Sequence, residues 1–192
     1  MNLIKCYKLL WIALFFFSCT FFLPIWKISL KAPQYPVHDP GMYIYVNDIK
    51  PVQTHDIEII NLLNHYIGMK EIHKNDFKEF EYMPTILVGI IISGSLVILL
   101  RNKKVLILWF FFVLLLFSLG LYDFYKWEYN YGHTLNPNAA IKVPGMNYQP
   151  PFIGKKKLLN MEASSYPSIG SFCLFIGVGL IFYVILKKDV KT

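Results

Sequence analysis

Four long runs without a single charged residue constrain this 192-residue chain more than any other feature. They cover residues 9–26, 84–100, 105–122 and 168–186. A helix needs about 20 mostly apolar residues to cross the hydrocarbon core of a bilayer. Backbone polar groups in hydrocarbon must satisfy one another, so each run predicts a spanning helix. Pro84 suits the first turn of the second helix, where no backbone donor is required. Charged residues make up only 16% of the chain, against about 25% in soluble domains. That composition excludes a free soluble protein and a disordered one.

Lysine and arginine set the expected orientation. The short turn Arg101-Asn102-Lys103-Lys104 and the two chain ends hold eight of the nineteen basic residues and one of the twelve acids. The stretches 27–83 and 123–167 hold eleven of each and sum to zero. The positive-inside rule therefore predicts cytoplasmic termini and two extracytoplasmic loops. The basic excess is a topology signal, and no nucleic-acid partner is expected. Phe17-Ser18-Cys19 has the outline of a lipoprotein signal, but Thr20-Phe21-Phe22-Leu23 extends the apolar run, so an uncleaved helix is expected. The predicted fold class is an all-α membrane protein, a four-helix bundle whose two outer loops form a small mixed cap. The predicted location is the inner membrane of a bacterium, with the loops facing the periplasm.

The outer loops carry the chemistry. Cys6, Cys19 and Cys173 all fall outside them, which argues against a disulfide framework and a thiolate zinc site. The histidines behave in the opposite way: His38, His55, His65, His73 and His133 all lie in the loops. After the initiator, Met42, Met69, Met83, Met146 and Met161 lie in the loops or at the outer membrane edge. The cost of burying polar groups explains the histidines but not the methionines, which are apolar and would be at home in the spans. Thioether and imidazole together form a soft ligand set that suits Cu(I).

Asp56–Ile67 reads as a short amphipathic helix, with Ile59, Leu63 and Ile67 on one stripe and Glu58, Asn61 and His65 on another. Gly68 fits the left-handed position that ends a helix, so Met69 is expected beside His65. Residues 123–131 continue the third span, and their tryptophan and tyrosine suggest an interfacial belt. Asp123 and Glu128 there are candidate orienting carboxylates for a histidine, or a solvated helix end. Ile28–Leu30 and Met42–Val46 alternate like strands and could pair. Lys155-Lys156-Lys157 reads as a solvated or headgroup-facing patch. Gly89, Gly94, Gly120, Gly177 and Gly179 are expected to be helix-packing residues.

Several strings resemble a family of four-span bacterial membrane proteins found with nitrous oxide reductase gene clusters and their copper-delivery accessory proteins. They are Pro24-Ile25-Trp26-Lys27-Ile28 with Ala32-Pro33-Gln34-Tyr35-Pro36, and Asn64-His65-Tyr66-Ile67-Gly68-Met69. Gly132-His133 through Pro137-Asn138-Ala139, and Gly145-Met146 through Tyr148-Gln149-Pro150-Pro151, complete the set. Where that family has a Glu-Gly pair, this chain has Val37-His38-Asp39-Pro40. The resemblance implies His65, Met69, His133 and Met146 as functional positions, with a copper ion as cofactor. The expected function is a membrane-anchored metal-binding or delivery accessory protein for nitrous oxide reductase maturation, working with a periplasmic or membrane protein partner. The alternative is a scaffold subunit that docks such a partner through aromatic loops, and a third reading is a small-molecule or lipid-headgroup receptor. The spans lack haem-ligating histidines and mid-membrane ionisable sites. Phosphate loops and hydrolase motifs are absent, so no enzymatic activity is expected.

Overall fold

The computed structural model describes residues 3–143 and 145–187. The helices are α1 (Leu3–Cys19), α2 (Asp56–Ile67), α3 (Glu79–Leu100), α4 (Lys103–His133) and α5 (Ile169–Leu186). The strands are β1 (Trp26–Lys31), β2 (Gly41–Ile44), β3 (Ile49–Pro51), β4 (Gly154–Leu158) and β5 (Met161–Pro167). All five form one antiparallel sheet in the order β3-β2-β1-β5-β4. This overturns the all-α four-helix bundle: among the described residues there are five helices and a five-stranded sheet. The pairing of Ile28–Leu30 with Met42–Val46 is there, but it is only the middle of the sheet. The chain segment 154–167, which includes the lysine triplet, supplies two further strands. Its Lys, Ser and Ala residues have little strand propensity of their own. Their strand state comes from the full-length pairing of β5 with β1, Trp26↔Pro167 through Lys31↔Glu162.

α3, α4 and α5 are long and apolar enough to cross a membrane, which marks a membrane protein. Their outward side chains agree: Leu96, Leu99, Leu108, Phe111, Phe175 and Leu186 are all exposed, an apolar surface that water would not tolerate on this scale. α1 is shorter than its apolar run. It stops at Cys19, where Thr20 donates its hydroxyl to the Phe17 carbonyl at 2.7 Å, and Pro24 then disfavours helix in the residue before it. α3 begins at Glu79, so Pro84 lies within the helix rather than at its start. Gly94 meets Leu14 and Trp109, and Gly177 meets Phe17, whereas Gly89, Gly120 and Gly179 face open space. Only the first two of those five glycines are helix-packing residues.

There are two cores. One lies among α1, α3, α4 and α5 and is built around Leu10, Ala13, Phe17, Ile90, Val113 and Ile181. The other lies under the inner face of the sheet, where Ile28, Met42, Leu158, Met161 and Ala163 meet Ile60, Leu63 and Ile67 of α2. α4 joins the two. Its 31 residues span about 46 Å at 1.5 Å per residue, well beyond the roughly 30 Å of a hydrocarbon core. The excess carries Phe124, Trp127 and Tyr131 into the second core. The expected interfacial belt is therefore half core: Trp127 stacks on Tyr131 at 5.1 Å and packs against Phe77 at 5.2 Å, while Tyr122, Tyr125 and Tyr129 stay exposed.

The segment after α4 returns across Gly132. The Tyr148 amide donates to the Gly132 carbonyl at 3.0 Å, and a Cβ on Gly132 would lie 2.2 Å from the Gln149 backbone. No side chain fits there. Gly132→Ala is expected to push residues 148–150 off the helix and to cost about 1–3 kcal/mol, as overpacking does. Thermal unfolding of the detergent-solubilised protein reads this directly; an unchanged midpoint would refute the close approach.

Candidate functional site

The second core encloses a cavity of about 40 Å³, room for one water-sized group. Met42, Met69 and Met161 all line it, together with Trp127, Tyr131 and Tyr148. Each methionine arrives by a different route. Met42 is on β2, opposite Ile28, on the buried face of the sheet. Met161 opens β5 opposite Leu158. Met69 follows the end of α2. Gly68 adopts φ +80° there, and the amides of Gly68 and Met69 donate to the carbonyls of His65 and Asn64, the paired closure that ends many helices. This reversal turns Met69 inward, where it is 8% exposed.

Polar side chains hold that turn in place. Asn61 brackets Ile72, accepting its amide at 2.8 Å and donating to its carbonyl at 3.3 Å. The buried Asn64 amide donates to the Tyr131 hydroxyl at 2.9 Å, and that hydroxyl donates to the Lys70 carbonyl. Burial pushes the Tyr131 phenol up, so it stays a donor. The Tyr148 hydroxyl is also buried, with no hydrogen-bond partner among the described residues.

The four residues implied by the resemblance fall in different surroundings. The loops that bear them do converge: Asn136 donates its amide to the Gly68 carbonyl at 2.7 Å, and Ile141 donates to Tyr66 at 2.9 Å. Met69 lines the cavity, and Met146 packs half-buried against the same core. His65 is exposed, because the glycine reversal sends it and Met69 in opposite directions. His133 is exposed too, its Nδ1 2.8 Å from the Tyr129 carbonyl and its ring stacked on Tyr129 at 3.9 Å. Among the described residues no group of three or more His, Cys, Asp or Glu side chains could hold a metal ion. Met42 and Met161 were legible as part of the outer methionine set, but their meeting with Met69 depends on the sheet.

The remaining histidines sit beside carboxylates. His55 and His73 pair with Glu58 and Glu71 on the surface. His38 is held by Asp56, with Nε2 at 2.9 Å and 3.0 Å from the two oxygens. Asp56 is 1% exposed. Burial opposes its charge, but the amides of Gly41 and Gln53 and the His38 ring outweigh that and leave its carboxyl below the ordinary value.

Glu128 is neither a histidine partner nor a solvated helix end. It lies about 9 Å beyond residue 122 along α4 and is fully buried. Burial raises its pKa from 4.5 to about 8. The Ser165 hydroxyl works against that shift, but its hydrogen goes to the Phe152 carbonyl at 3.1 Å and its oxygen accepts Trp26 Nε1 at 2.7 Å. Neither carboxyl oxygen has a well-formed hydrogen bond among the described residues. Between pH 4.5 and about 8 the folded state holds a proton that the unfolded state has released. Stability from this residue is thus full below pH 4.5 and is lost as pH rises toward 8. Glu128→Gln is expected to raise the melting temperature at pH 8–9, with the gain shrinking toward pH 5. A gain that does not vary with pH would show that Glu128 is charged throughout.

No protein-family model and no curated protein matches this sequence.

Proposed function

We propose that this protein is a membrane-anchored accessory protein that binds Cu(I) in its extramembrane domain and passes it to a partner. The observation that carries the reading is the lining of one small cavity by Met42, Met69 and Met161, three of the five methionines after the initiator. Thioether sulfur is a soft, neutral ligand that favours Cu(I) and does not form disulfides in an oxidising compartment. Three such ligands leave a monovalent ion with no protein charge to balance it. The faces of Trp127, Tyr131 and Tyr148 supply part of the compensation, because an aromatic face attracts a cation, more strongly when both are desolvated. In this reading the ligand set is the three methionines, with Met146 adjoining them and the exposed His65 and His133 as positions where an ion could first be caught or released.

The distribution of basic residues supports cytoplasmic termini and a periplasmic sheet domain in a bacterial inner membrane, with α1 as a fourth span. The resemblance of the loop strings suggests nitrous oxide reductase maturation as the client process.

Methionine also fills irregular gaps in ordinary cores, so the decisive comparison changes sulfur and little else. Met→Leu swaps roughly conserve volume and usually cost less than about 1.5 kcal/mol each. Cu(I) competition against a chromophoric chelator, on detergent-purified protein, is expected to give one ion per chain. The Met42→Leu/Met69→Leu/Met161→Leu variant should stay folded and lose the ion, and His65→Ala/His133→Ala should keep it with slower transfer to a chelator. Equal binding by the triple leucine variant, or none by the unaltered protein, overturns the reading; the second result leaves the aromatic loops as a scaffold's docking surface.

A further inference from the structure

The outer face of the sheet carries a second, unrelated arrangement. Strand alternation places Lys27, Ser29 and Lys31 of β1 on the side opposite the buried Trp26 and Ile28. The Ser29 and Ser164 hydroxyls, 2.8 Å apart across the β1–β5 pair, confirm the shared face. Beside these residues runs an open groove of about 530 Å³, lined by Lys27, Ser29, Lys31, His38 and Gln53, with Asp39 as its one acid. Lys27 Nζ lies 5.5 Å from the centre of the Tyr43 ring, and neither Lys27 nor Lys31 has a carboxylate in ion-pair contact among the described residues. Glu162, opposite Lys31 in the register, is engaged by Lys155 at 3.1 Å.

His38 is the built element. A carboxylate buried to 1% exposure, itself fixed by two backbone amides, holds its Nε2. Nδ1 is then the ring nitrogen left for the groove, with the Asp56 carboxylate on the far side of the ring. An orienting carboxylate of this kind fixes both ring plane and tautomer. Two lysines, a held imidazole, a hydroxyl and an amide lining one groove match an oxyanion with several acceptor oxygens and two negative charges.

We propose that this groove binds a phosphomonoester, with Lys27, Lys31 and His38 around the phosphate and the remaining volume taken by the group it is attached to. The site is separate from the methionine cavity, and its test involves no metal. Protein labelled in histidine rings is titrated with inorganic phosphate and with glycerol 3-phosphate, and separately placed in nanodiscs of phosphatidylcholine with or without phosphatidic acid, while the His38 ring resonances are followed. A saturable His38 shift with the soluble phosphates supports a free ligand. A shift only with phosphatidic acid supports the same chemistry from a lipid headgroup. In either case the shift should vanish in Lys27→Gln/Lys31→Gln, which removes both charges but keeps much of the aliphatic stem of the half-buried Lys27, and chloride at matched ionic strength should not produce it. No saturable shift in any arm, or one that persists in the double variant, overturns the proposal.

Discussion

The structure depends on one run of backbone, where the chain leaves α1 and where it enters α5. The Ser168 amide donates to the Ile25 carbonyl at 2.9 Å, the Gly170 amide donates to the Pro24 carbonyl at 2.8 Å, and the Ser171 hydroxyl also reaches Ile25. The β1–β5 ladder begins in register just above, at Trp26↔Pro167. Gly170 permits the approach, because a Cβ there would sit 2.8 Å from the Leu23 and Pro24 carbonyl oxygens. Gly170 is buried, and a backbone amide shut away from water needs such a partner. α1, through the turn at residues 20–25, and α5, after the single residue Ser168, thus join two paired antiparallel strands, and these hydrogen bonds tie the sheet to both helices.

Everything else in the extramembrane domain is added to that ladder. β2 and β3 extend it on one side and β4 on the other. α2 closes the inner face with Ile60, Leu63 and Ile67, and α4 pushes Phe124, Trp127 and Tyr131 up against it. The methionine cavity and the His38 groove lie on opposite faces of the same strands. Residues of β1 serve the two: Ile28 and Leu30 line the cavity, Lys27 and Lys31 line the groove, and Ser29 borders both. A one-residue slip of β1 would exchange the faces and dismantle both.

How much of this was legible depends on whether the signal is local. The bounds of α2 and the Gly68 turn follow from a stripe and a glycine a few residues apart, and the structure has them where the pattern puts them. The apolar runs of α3, α4 and α5 are equally plain. β4 and β5 are not, since Gly-Lys-Lys-Lys-Leu and Met-Glu-Ala-Ser-Ser-Tyr-Pro have no strong alternation and few strand-forming side chains; β5 becomes a strand because β1 offers its edge more than a hundred residues away, and β4 because β5 then offers its own. Without those two strands the sequence reads as a loop cap on an all-α bundle. The same limit applied to the sites. The skewed placement of methionine could be seen in the chain, but which three meet could not. Asp56 reads in the sequence as the first residue of a helix, and its hold on His38 is visible only in the fold.

α4 is one uninterrupted rod from Lys103 to His133: its lower part is a wall of the membrane bundle and its upper part a wall of the cavity. Helices meet a mismatch in bilayer thickness chiefly by tilting, and a helix is stiff along its axis. Any tilt of residues 105–122 would therefore be carried along the same rod to Trp127 and Tyr131, which face the sheet across the cavity. A change in bilayer thickness that tilted this helix would therefore reach the lining of the cavity through Trp127 and Tyr131.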